Sequence, residues 1–155
     1  MVKPARARLT RSAMRLKVRS TMITGVDFVC VPSADFDAAL EFYGQVLGLE
    51  RSALWQRADE PPAGAEFETG NMTIAVIATQ AAGIDFSPNS VPVALQVEDV
   101  GATRAELERR GVSFSGETID SGVCHIANFR DPEGNALMLH HRYAPFRRAS
   151  PRRGG

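Results

Sequence analysis

Apolar positions along this chain change their period in a fixed order. The stretch "GVDFVCVPS", residues 25–33, is a β-branched apolar run and predicts a strand. Asp35 follows where a helix N-cap belongs, because its carboxylate can accept a first-turn N–H. Phe36, Ala39, Leu40, Tyr43 and Leu47 then share one helix face, and Gly48 stops the helix. Three short runs come next, over about 49–56, 64–69 and 72–78, with the polar, Pro-Pro-broken loop "QRADEPPAGA" after the first.

The order then starts again. "VPVALQVE" predicts a strand, Asp99 a cap, and Val100, Thr103 and Leu107 a buried helix face ended by Gly111. Strands are expected over about 112–119, 122–130 and 135–141. One offset of 64 residues relates Val29 to Val93, Asp35 to Asp99, Ala38 to Ala102, and the turn Gly70-Asn71 to Gly134-Asn135. The chain therefore reads as two tandem β-α-β-β-β modules, about 23–79 and 90–142, joined by "QAAGIDFSPNS". The expected class is α+β.

Composition adds boundaries. The 155 residues are 44% hydrophobic and 23% charged, enough for one folded domain over 22–143. No apolar run is long enough for a membrane span. The zero net charge conceals an asymmetry: residues 1–20 hold seven basic side chains and no acid, and residues 142–155 hold five arginines and no acid. Residues 1–21 are expected to be a disordered basic extension, with a transit peptide or a basic arm as alternatives, and 144–155 a disordered basic tail. All 18 acids lie between Asp27 and Glu133, which argues against a nucleic-acid surface on the folded part and favours a cationic ligand at long range. Cys30 and Cys124 have no CxxC spacing and no secretion signal, so a disulfide framework is not expected and a reducing cytoplasm is.

The repeat, with "FYGQVLGL" after the first strand and "FRDPEGN" before the last, resembles the vicinal oxygen chelate superfamily over about residues 23–143. That group includes glyoxalase I, extradiol dioxygenases and bleomycin-resistance binding proteins. The resemblance implies curled mixed sheets around a U-shaped cavity, with metal ligands facing inward from the first and last strand of each module. It places Phe28, Ile74, Pro92 and Met138 at those four positions. Phe, Ile and Pro offer no side-chain lone pair, and the Met thioether suits only soft ions. No metal and no cofactor are therefore expected.

A shifted site using Cys30 and His140, with His125, is a minor alternative, as is Cys30 as a nucleophile. His125 and His141 each point opposite to a neighbouring residue, Cys124 and His140. Trp55, Phe28, Phe67, Phe129, Met72 and Met138 are candidate apolar walls, and Gln96 a directional hydrogen-bonding group. The "DPEGN" turn reads as scaffold. The expected ligand-binding set is Phe28, Cys30, Trp55, Phe67, Ile74, Pro92, Gln96, Met138 and His140, with no catalytic residue. The expected function is metal-independent binding and sequestration of a small, partly apolar or aromatic molecule by a homodimer. A glyoxalase-class lyase, isomerase or dioxygenase, and a regulatory dimer with filled cavities, are the alternatives.

Overall fold

A computed structural model describes residues 22–145; the basic extension 1–21 and residues 146–155 of the tail lie outside the described residues. Each module forms a four-stranded mixed sheet. The first contains β1 (Phe28–Ser33), β2 (Glu50–Trp55), β3 (Gly64–Glu68) and β4 (Thr73–Ala78) in the order β1-β4-β3-β2. The second contains β5 (Val93–Gln96), β6 (Phe114–Asp120), β7 (Cys124–Arg130) and β8 (Ala136–Arg142) in the order β5-β8-β7-β6. In each, the first strand pairs parallel with the last and the rest is antiparallel. The two sheets carry the tandem α+β arrangement that the repeat predicts.

The caps act as the sequence implies. Ala38 donates its N–H to Asp35 Oδ1 at 3.1 Å, opening α1 (Phe36–Glu41), and Ala102 donates to Asp99 Oδ1 at 2.8 Å, opening α3 (Val100–Arg109). Gly48 and Gly111 take φ of 72° and 90° after the helices, a region only glycine enters without strain. Two features were not expected. α1 widens into a π-helical turn over Phe42–Val46, and a short helix α2 (Thr79–Ala82) follows β4. Among the described residues no helix is long and apolar enough to cross a membrane.

One buried cluster crosses both modules. Val31, Tyr43, Phe67, Ile74 and Val76 of the first belong to it together with Leu107, Phe129, Leu137 and Leu139 of the second. Each sheet thus has a helix-covered face in the core and an open face on the other side.

The modules also meet along the free edge of β1. Backbone groups of alternate strand residues point to opposite sides, so the carbonyls of Cys30 and Pro32 face away from β4. Asn89 Nδ2 donates to Cys30 O at 3.0 Å, and Asn135 Nδ2 donates to Pro32 O at 2.9 Å. Glu133 Oε1 accepts the N–H groups of Ala34 and Asp35 at 2.6 and 2.8 Å. Tyr43 Oη donates to buried Asp131 at 3.1 Å. Burial first, and the Asp131 carboxylate second, push this phenol far above its ordinary pKa, so it remains a donor.

Candidate functional site

The repeat offset is not uniform, and this moves the expected site. Cys30 pairs with Ala75 across β1/β4, and Ala94 with Met138 across β5/β8. Cys30 and Ala94 keep the 64-residue offset, whereas Ala75 and Met138 differ by 63. The π-helical turn is the cause: Leu49 N–H closes it on Tyr43 O, whereas Val112 N–H closes the second helix on Leu107 O, so the first module holds one residue more there and the offset falls from 64 at Tyr43 and Leu107 to 63 at Leu49 and Val112. A slip of one residue turns every side chain of a strand to the other face. Ala75, not Ile74, is therefore the counterpart of Met138.

Ile74 is accordingly corrected from the open face to the core, at 1% exposure. Phe67 is corrected with it: it pairs with Ile74, shares its face and is equally buried. Both belong to the core cluster as packing side chains. Replacing Ile74 by Ala75 at the inward position exchanges one side chain without a lone pair for another.

The other expected residues divide between the two sheets. Phe28, 41% exposed, makes an edge contact with Trp55 at 6.2 Å between ring centroids. Trp55 donates Nε1–H to Glu66 Oε1 at 2.9 Å and lies over Gly64. Cys30 is exposed on the same face as Phe28. On the second sheet, Met138 lies beside Ala94, and His140 beside Gln96. Pro92 precedes β5 and is half-buried. Among the described residues no three His, Cys, Asp or Glu side chains are grouped to hold a metal ion. His125 instead lies 3.7 Å from Asp120 and against the Tyr143 ring, and His141 Nδ1 meets Val97 O at 3.0 Å.

A cavity of about 340 Å³ lies between the modules. Its walls come mainly from core-facing side chains: Val29 and Ile74 of the first sheet, Val93, Leu95 and Leu139 of the second, and Leu107 of α3. Of the nine expected residues, Ile74, Gln96 and His140 line it. The Gln96 amide and the His140 imidazole form no hydrogen bond with any described residue. No Asp, Glu, Lys or Arg lines the cavity, so the acidic surface does not extend into it. Its size is at the lower end of small-molecule pockets, and its apolar wall with few polar groups is their usual chemistry.

Sequence reasoning missed Leu47, Leu49, Thr103 and Asn71, which also line this space. The first two flank the helix stop Gly48, in a segment whose orientation depends on the π-helical turn.

Comparison with known proteins gives the lineage. The family model of the Glyoxalase/Bleomycin resistance protein/Dioxygenase superfamily matches residues 25–139. No curated protein matches the chain. A solved member of that superfamily from Sphaerobacter thermophilus DSM 20745 is 22% identical, with TM-score 0.66 over 77% of this chain and 98% of its own. TnmS3, an antibiotic binding protein from Streptomyces sp. CB03234, is 23% identical, with TM-score 0.64 over 79% of this chain and 98% of its own. A lactoylglutathione lyase from Agrobacterium tumefaciens is 18% identical, with TM-score 0.60 over 77% and 95%. A binding protein and a lyase thus share this fold, and fold alone does not choose between their activities. With its tandem modules and a family match over most of its length, the chain belongs to the glyoxalase/bleomycin resistance protein/dioxygenase superfamily.

Proposed function

We propose that this protein binds and sequesters a small, partly apolar organic molecule in the cavity between its modules, without a metal. The observation that carries this reading is the cavity itself: about 340 Å³, apolar-walled and free of charged side chains, with Gln96 and His140 at its polar side. Ligand held there makes contacts with both modules, so binding favours the native state over the unfolded one. The likeness to TnmS3 supports a binding role as a precedent for the fold.

The exposed apolar groups on the open faces, Phe28 and Ile119, support a second copy as partner, in a homodimer. Sedimentation equilibrium tests this part separately. A monomer at all concentrations removes the dimer and leaves the cavity reading intact.

A thermal-shift screen with neutral aromatic and aliphatic compounds tests the main reading. Hits are expected to raise the melting temperature of the natural chain but not of Thr103→Phe, whose ring fills the cavity from α3. The shift is expected to survive a chelator and to be unaffected by added Zn, Ni or Fe. Loss of binding on chelation, or equal binding by Thr103→Phe, would sink the proposal.

A further inference from the structure

The modules repeat, but their junction does not. At the free edge of β1, the carbonyls of Cys30 and Pro32 each accept a carboxamide N–H, from Asn89 and Asn135. The repeat maps Cys30 and Pro32 onto Ala94 and Gln96 of β5. Val97 donates its N–H to His140 O, which fixes the strand's phase: Val93, Leu95 and Val97 turn their backbone groups toward β8, and Ala94 and Gln96 turn theirs to the free edge. That edge faces the cavity, since Val93 through Val97 all line it. The Ala94 and Gln96 carbonyls have no donor among the described residues.

The missing donors can be named. Thr69 N–H donates to Met72 O at 3.1 Å as Asp131 N–H donates to Asn135 O at 3.0 Å, so Met72 stands where Asn135 stands. Its thioether has no hydrogen to donate. The counterpart of Asn89 is Gly25, which has no side chain. Tyr43, which fills the closed half of the junction, corresponds to the smaller Leu107, and Leu107 lines the cavity. At these three positions two carboxamides and a phenol ring are replaced by a thioether, a hydrogen and an isobutyl group; the carboxamide of Asn71, next to Met72 in the cavity wall, instead accepts from Thr69 Oγ1 at 3.1 Å. What is left is an apolar space with two strand-edge carbonyls directed into it.

We infer that the cavity selects uncharged, mainly apolar molecules that carry a carboxamide or lactam N–H, which donates to the Ala94 or to the Gln96 carbonyl as Asn89 donates to Cys30 and Asn135 to Pro32; at about 3.3 Å per residue the two carbonyls stand too far apart for one N–H to serve both. The inference rests on the cavity being the ligand site and adds the ligand's chemistry. A carboxylate is disfavoured: it has no hydrogen to donate to these carbonyls, and no Lys or Arg lines the cavity to offset its desolvation. A ketone of the same shape fills the space but leaves both carbonyls unpaired.

Three isosteric probes decide it: 3-phenylpropanamide, 4-phenylbutan-2-one and 3-phenylpropanoate. Binding is followed on the full chain by the NMR signals of the Met72 methyl and of the Ala94 and Gln96 carbonyl carbons. The amide is expected to bind roughly tenfold more tightly than the ketone, with the Ala94 or the Gln96 carbonyl signal moving, and the carboxylate to bind most weakly. Met72→Asn restores the counterpart of Asn135 and is expected to weaken the amide about fivefold more than it weakens the ketone, read from the Ala94 and Gln96 carbonyl signals. If amide and ketone shift the Met72 methyl with equal affinity, the carboxamide inference is overturned and the cavity reading stands. If no probe moves Met72, Ala94 or Gln96, both fall.

Discussion

Asp131 is the buried acceptor on which the closed half of the junction converges. Its Oδ2 takes Tyr43 Oη–H and Asn135 Nδ2–H at 3.1 and 2.7 Å, and its Oδ1 takes the N–H groups of Glu133 and Asn135 at 3.0 and 2.8 Å. Asp131→Ala removes all four and strands the Tyr43 hydroxyl in the core, so it is expected to cost about 3 kcal/mol in urea unfolding. Tyr43→Phe leaves Oδ2 with the Asn135 donor and is expected to cost only about 1 kcal/mol. The reverse order would place the stabilisation in the phenol and not in the carboxylate. Asp120 behaves differently because it is fully exposed. The Tyr143 hydrogen bond, then the Gly122 N–H, hold its pKa below the ordinary aspartate value. A depressed native pKa contributes stability above the unfolded aspartate value and loses it as pH falls through the native one. Carboxyl-carbon NMR is expected to show a low Asp120 midpoint that rises in Tyr143→Phe.

At the scale of elements, β3 and β2 are held close by an absent side chain. A Cβ on Gly64 would lie 2.7 Å from Val76 O and 2.8 Å from the Trp55 ring. Gly64→Ala is expected to destabilise by about 1–3 kcal/mol and to displace Trp55, which its fluorescence reads; an unchanged spectrum would show that the indole does not rest there. Elements with their own local chemistry were legible in the sequence. Asp35 and Asp99 announce helix starts, and Gly48 and Gly111 announce their ends. The face of β4 was not legible. Its sequence "TIAVIA" is apolar on both sides, so alternation gives no phase, and only the repeat offset could assign one. That offset had already slipped to 63 at the helix stops Gly48 and Gly111, and the match of the turn glycines Gly70 and Gly134, which have φ of 92° and 91°, hid the slip. Phe67 was named as an apolar wall for its aromatic ring alone, although Glu66 beside it marks the solvent side of β3 and so puts Phe67 on the core side.

For the whole molecule, the shared core predicts joint unfolding. Trp55 fluorescence reports the first module, and the methyl signals of Leu137 and Leu139 report the second. Both are expected to be lost at one urea concentration, because Val31, Tyr43, Leu107 and Leu139 occupy a single buried cluster. Separate midpoints would show that each module stands alone. The candidate site is a property of this same scale, which is why it was only partly legible. Gln96 and His140 were found from strand phase, but the cavity arises from the way one module rests on the other. That arrangement follows from Tyr43, Asn89, Asn135 and Glu133 on one side and their missing counterparts on the other.

The unpaired edge of β5 also has a meaning for the protein in crowded solution. A strand edge with unsatisfied carbonyls is a template for strands of other molecules, and natural sheets blunt such edges with charge, proline or a covering segment. Ala94 and Gln96 carry none of these on their own side chains, and Pro92 stands just before the strand, so among the described residues the edge is guarded at its start. A ligand of the kind inferred above is therefore expected also to cap this edge and to slow precipitation of the protein, which light scattering with and without the amide probe checks.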